Sequence, residues 1–168
     1  MRDDQLWIMV DVETSGPLYG THSMTELGAA AGSMARGGID RFEAVIRPIG
    51  DAVRTSRDSY ERARREGEDP KQAMRRFAQW CAPHIEAKAL FVARPAAFDW
   101  PWIVYYAWRY LGENPFGFKA VCASSWFQAI GKRFEVKLPH VAVEDAEIQL
   151  AHFIKHAKPG PRGGRRPR

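Results

Sequence analysis

The sequence predicts an α/β fold with a mixed sheet: a three-stranded antiparallel meander plus parallel strands, flanked by helices. Three observations carry this. The first third of the chain holds three short apolar stretches separated by turn signals, as hairpin-linked strands do. The rest alternates helical periodicity with short buried runs, the pattern of strands joined through helices. The scale fits one domain: 168 residues, 45% hydrophobic and 27% charged, can bury a full core without staples.

Each element follows in order. LWIMVDVE (6–13) is a short apolar run of strand type that ends in acids. Residues 21–34 make a second strand-like stretch rich in small side chains, and a turn at 36–38 leads into 39–48, which alternates and stops at a proline. Residues 51–68 are polar and read as a loop with one helical piece. Asp69-Pro70 is a helix start, with an aspartate to cap and a proline at the first helical position. Met74, Phe77, Trp80 and Cys81 continue that helix at i, i+3, i+4 spacing, and Pro83 is expected to kink or shorten it. A buried strand at 89–93 precedes a helix over 98–112 that is apolar nearly all round and stops at Gly112. A short strand at 119–123, a helical stretch near 124–131 and an amphipathic helix over 141–157 complete the domain.

The net charge of +5 is uneven. Residues 155–168 hold six of the 25 Lys/Arg and no acid, which leaves 19 basic against 20 acidic residues in the body. A basic tail fits a polyanionic partner and a merely solubilising role equally. The organisation is therefore a domain over 1–157 and a tail over 158–168, which has no apolar side chain to bury and is expected to be disordered. No apolar run is long enough for a membrane helix, and two cysteines, Cys81 and Cys122, are too few for a disulfide scaffold, so a cytoplasmic setting is expected. The aromatic helix at 98–112 has more apolar surface than one sheet face covers, which predicts a homodimer with part of that helix at the interface.

Four carboxylates and one histidine carry the chemistry. Strand side chains alternate, so Asp11 and Glu13 point to the same face, roughly 6.6 Å apart along the strand. Partly desolvated carboxylates that close repel each other and attract a hard cation, although a lone pair of this kind also fits a solvated strand end. Asp99 follows the strand at 89–93 and opens the next helix, where an N-cap role is an equal reading. His140 lies in the turn before the last helix and Asp145 about one turn into it, so the two can face one pocket. A histidine there can take a proton from water, because its ordinary pKa lies near neutrality.

Taken in order, Asp11-Val12-Glu13-Thr14 at the end of the first strand, Phe98-Asp99 after a middle strand, and His140 through Ala146 with Asp145 near the C-terminus form one pattern. It resembles the DEDDh exonucleases of the ribonuclease H-like superfamily, a group that includes bacterial proofreading subunits, ribonuclease T and oligoribonuclease. The segment MTELGAA (24–30) also looks like the family's second strand, and the resemblance spans about residues 6–155.

The resemblance implies a ribonuclease H-like fold and a 3′–5′ exonuclease releasing 5′-mononucleotides from single-stranded nucleic acid or frayed 3′ ends, RNA or DNA. It implies that Asp11, Glu13, Asp99 and Asp145 hold two divalent ions, Mg²⁺ or Mn²⁺, for in-line displacement at phosphorus, with His140 as general base. The backbone around Thr14 and Ser15 would hold the terminal nucleotide. One departure stands out: many relatives carry an asparagine four residues before the third carboxylate, whereas this chain has Pro95, preceded by Arg94. Arg94 is the candidate to grip a phosphate instead, a surface arginine being the other reading. The rival functions are a catalytically inactive nucleic-acid-binding module on the same fold and an endonuclease of the same superfamily. The intact carboxylate set disfavours the first and the histidine segment disfavours the second.

Overall fold

A computed structural model of the chain describes residues 2–35, 38–50, 52–53 and 57–158. The tail from 159 onward, and with it nearly all of the predicted disordered segment, lies outside the described residues. Ten elements follow in the order β1 Trp7–Thr14, β2 Met24–Gly32, β3 Asp40–Val45, α1 Arg57–Glu66, α2 Pro70–Glu86, β4 Leu90–Ala93, α3 Ala96–Leu111, β5 Val121–Cys122, α4 Ala123–Ala129 and α5 Ala142–His156.

The strands form one sheet in the order β3-β2-β1-β4-β5. β1 pairs antiparallel with β2, and β2 with β3; β4 runs parallel to β1, and β5 parallel to β4. The meander-plus-parallel sheet is thus as the sequence predicts. Because side chains alternate, β1 sorts itself between two layers. Ile8, Val10 and Val12 join Leu27, Phe77, Trp102 and Ile103 in the core under α2 and α3. Trp7 and Met9 join Ala30, Phe127, Leu150 and Phe153 under α4 and α5, and Asp11 and Glu13 continue that second face.

The small residues of β2 have a packing reason. A Cβ on Gly28 would stand 2.1 Å from the carbonyl carbon of Ala142, so glycine is what lets the start of α5 lie against the sheet. The buried positions of α5 (Ala142, Asp145, Ala146, Gln149, Leu150, Phe153) repeat at helical spacing on the face turned to the sheet. Its apolar half meets Trp7, whose ring lies 5.0 Å from Phe153 edge to face, and its polar half meets the acidic end of β1.

Several boundaries differ from the sequence reading. Asp69 caps α2 as expected, accepting from the N–H groups of Lys71 and Gln72 at 2.9 and 3.2 Å. Pro83 does not shorten α2, which continues to Glu86 while Phe77 and Cys81 anchor it in the core. α3 begins at Ala96, with Pro95 at the N-cap, so Asp99 is an in-helix residue of the first turn rather than the cap. Gly112 ends it in the left-handed conformation (φ 76°). The polar stretch before Asp69 contains a full helix, α1, held down by the buried Tyr60 and Ala63.

α3 finds most of its cover within the chain. Trp102 and Tyr106 are fully buried, and Tyr19 packs on Trp102 and Tyr105 at 6.0 and 5.6 Å. Of its aromatic residues Trp108 is the most exposed, at 52%, while Phe98, Tyr105 and Tyr110 are half-buried. Both cysteines are free thiols, and among the described residues no helix is long and apolar enough to cross a membrane.

Candidate active site

The four carboxylates and the histidine come from three elements and one loop. Asp11 and Glu13 close β1, where a bulge between Glu13 and Thr14 shifts the register against β2. Asp99 rises from the first turn of α3, Asp145 from the first turn of α5, and His140 from the turn just before it. The carboxylates interact as one group: Asp99 and Asp145 both act on Asp11, and Asp145 acts on Glu13. Ligand atoms of Glu13, His140 and Asp145 all lie within 4.8 Å of one another.

Burial here is deep. Asp11 is 8% exposed, Asp99 and Asp145 each 2%. Burial, followed by repulsion from Asp99 and Asp145, pushes the Asp11 carboxyl up to about 9. Burial, with a smaller push from Glu13, outweighs the backbone donors on Asp99 and lifts it to about 7. Glu13 and Asp145 shift upward for the same first reason, desolvation, tempered by the nearby His140. Four acids crowded in a low-dielectric corner resist carrying charge together, and positive charge among them relieves that cost.

The hydrogen bonds hold the acids without neutralising them. Gln149 Nε2 donates to Asp11 Oδ1 at 2.8 Å, the Val12 N–H to Asp99 Oδ1 at 3.4 Å, and the His140 N–H to Asp145 Oδ1 at 3.2 Å. Asp99 Oδ2 is buried and finds no hydrogen-bond partner among the described residues. An orphaned carboxylate oxygen among hard oxygen donors of like charge is what a divalent cation satisfies, so these residues fit such an ion. His140 is exposed and adopts φ 63°, a left-handed conformation unusual for a non-glycine residue.

The remaining predicted residues stand at the rim. Thr14 is buried, its hydroxyl donating to the Gly16 carbonyl at 2.9 Å. Ser15 is fully buried; its N–H is taken by the Ser23 carbonyl, and its hydroxyl donates to the Ala52 carbonyl at 2.7 Å. Arg94 links the acids to an open groove. Its backbone N–H supports Asp99, while its guanidinium lies 4.8 Å over the Phe134 ring and donates to the Phe134 carbonyl at 3.1 Å. That groove, about 780 Å³, is also lined by Ser124, Gln128, Lys132, Arg133 and Lys137.

Two residues escaped the sequence reading. Gln149 sits one turn beyond Asp145 and reaches back to Asp11; the i, i+4 spacing from Asp145 was the available signal. Glu26 lies directly opposite Glu13 in the β1–β2 pairing, its carboxylate shared between Arg62 Nη1 at 3.1 Å and the Ala142 N–H at 3.4 Å. It lies within the MTELGAA segment, where nothing local distinguishes it from a solvated strand residue.

Comparison with known proteins gives three findings. No protein-family model matches the chain. It is 35% identical over 132 residues to the 3′–5′ DNA exonuclease Cap18 of Escherichia coli, covering 74% of this chain and 69% of that protein. Among solved structures it superposes on E. coli exonuclease I in complex with a dT13 oligonucleotide with a TM-score of 0.66 at 12% identity, over 93% of this chain and 42% of the other. The zinc-bound form of the E. coli exonuclease I–single-stranded DNA complex matches with a TM-score of 0.58 at 13% identity, over 89% and 40%. The chain thus spans about two fifths of the exonuclease I structures it resembles, and those likenesses establish the ribonuclease H-like fold.

Proposed function

The chain belongs to the 3′–5′ exonucleases and has the ribonuclease H-like fold, and from that premise we propose that it is of the DEDDh type and removes 5′-mononucleotides from the 3′ end of single-stranded DNA. The observation that carries the reading is the convergence of Asp11, Glu13, Asp99 and Asp145 with His140 at one end of the α5 face of the sheet. DNA is favoured over RNA by the named activity of the 35% identical relative.

In this reading the four carboxylates would hold two divalent ions, Mg²⁺ or Mn²⁺, which would supply charge neutralisation at the scissile phosphate and a lowered pKa for water. The chain's own residues do the rest. A ring nitrogen of His140 takes the proton of the attacking water, and the exposure of the imidazole lets it pass that proton to solvent. The Asp145 carboxylate, holding the His140 N–H, keeps that backbone beside Glu13. Gln149 fixes the rotamer of Asp11. The Thr14–Ser15 segment, held by its hydrogen bonds to the Gly16 and Ala52 carbonyls, forms a firm wall for the terminal nucleotide. Arg94 and the cationic groove beside it receive phosphates upstream of the cleaved bond. A cytoplasmic site of action belongs to the same reading.

The test uses 5′-labelled DNA and RNA oligonucleotides with Mg²⁺ or Mn²⁺, and with EDTA as control. A ladder shortening from the 3′ end, faster on DNA and abolished by EDTA, is expected. A single internal cut would indicate an endonuclease, and binding without cleavage an inactive module.

A further inference from the structure

We propose that Glu26 is a positioning residue for His140, acting through the N-terminus of α5. The inference rests on the reading of His140 as general base. Three observations lead to it. First, α5 begins without a cap of its own: the N-cap is Val141, whose side chain offers no acceptor. Second, the missing acceptors come from elsewhere. Glu26 Oε2 takes the Ala142 N–H at 3.4 Å, and Asp145 Oδ1 takes the His140 N–H at 3.2 Å. A carboxylate at this end also complements the helix dipole. Third, Gly28, two residues along the same face of β2, is in contact with the Ala142–Val143 peptide, so that the strand and the first turn of α5 meet with no side chain between them.

The consequence falls on His140, two residues before Ala142. Its backbone stands at φ 63°, a conformation that surrounding contacts must hold in place. Glu26 supplies one of those contacts and is itself fixed from the far side by Arg62 of α1 at 3.1 Å. Without the Glu26 carboxylate, the turn relaxes and the imidazole leaves the place where it can reach the attacking water. Small misplacements of this kind cost rate rather than binding.

The experiment is a double-mutant cycle on the full chain. Glu26→Ala is expected to lower kcat by about ten- to a hundred-fold, part of the roughly 10²–10⁴ that a general base contributes, with KM for the oligonucleotide nearly unchanged. In a His140→Ala background the same substitution is expected to cost less than about two-fold, because there is no base left to misplace. Amide exchange should show the Ala142 N–H protected in the parent chain and faster in Glu26→Ala. Glu26→Gln, which keeps an oxygen for Ala142, should recover most of kcat. The same cycle run with it decides the question if the Ala variant melts below the assay temperature. Equal losses in both backgrounds would overturn the inference, as would rescue of Glu26→Ala by a higher Mg²⁺ concentration, which would mean that Glu26 acts on the metal site through Glu13. Full activity in His140→Ala alone would instead bring down the base assignment on which the inference rests.

Discussion

The two faces of the central sheet are built from the same strands and do different work. Toward α2 and α3, β1 presents Ile8, Val10 and Val12, all buried against aromatic and aliphatic side chains along its whole length. Toward α5 it presents Trp7 and Met9 and then, at the same spacing, Asp11 and Glu13. One face is apolar from end to end, while the other changes from apolar to acidic halfway along. α5 follows that change, with Leu150 and Phe153 over the apolar half and Asp145 and Gln149 over the acidic half. The difference teaches where stability and chemistry reside. The α2/α3 face contributes apolar burial, and the acidic corner costs folding free energy through desolvation and repulsion.

The largest expected effect that sharpens this contrast is on activity. Asp11→Asn keeps the shape of the side chain and an acceptor for Gln149 but removes a charge the reaction needs. Its rate is expected to fall by about 10³-fold or more. Melting in EDTA should hold or rise, since the variant has no carboxylate to desolvate or to set against Asp99 and Asp145. Near-native turnover under saturating Mg²⁺ would break the assignment.

The opposite face predicts the opposite pattern. Phe77 is fully buried among Phe42, Trp80 and Phe116, with ring centroids 5.1, 6.1 and 5.0 Å away. Phe77→Ala is expected to cost about 3–5 kcal/mol of stability. At a temperature where the variant remains folded, kcat should match the parent. A selective loss of kcat without a lowered denaturation midpoint would mean that the two faces are not separable in this way.

A third contrast is in the pH dependence of the metal-free protein. Asp11 and Asp99 move from 3.8 to about 9 and about 7 on folding. Between those values the unfolded chain has released protons that the folded chain still binds. Stability in EDTA therefore falls as pH rises from about 4 through about 9. Mg²⁺ binds the ionised carboxylates, so its stabilisation should grow over the same range. Melting curves at several pH values, with and without Mg²⁺, check both signs. A melting temperature in EDTA that rises between mildly acid and mildly alkaline pH would contradict the burial of these acids, and Asp11→Asn should flatten the slope.

How much of this was legible in the sequence depends on the range of the interactions involved. Local chemistry was readable. Alternation put Asp11 and Glu13 on one face, Asp69-Pro70 started α2, Gly112 stopped α3, and the order of the acidic motifs pointed to the family. These signals lie within a few residues of chain, where φ/ψ preference and side-chain period decide. Whether Asp99 also caps α3 was open in the sequence, because its relation to the helix start depends on Pro95 taking that place, while its burial depends on β1 lying alongside. How much of the helix at 98–112 is covered within the chain, by α2 and Tyr19, is an arrangement set by how layers stack. Glu26 carried no signal of its own, and Gln149 only its i, i+4 spacing from Asp145. A glutamine on a helix and a glutamate on a strand become partners of Asp11 and Ala142 only when the β1–β2 register sets Glu26 across from Glu13 and Gly28 lets α5 close onto the sheet. The sequence by itself determined which groups can do the chemistry, because residue type and local period fix a side chain's identity and face. Only the tertiary structure decided which neighbours hold those groups, because register and helix placement follow from contacts between segments more than a hundred residues apart.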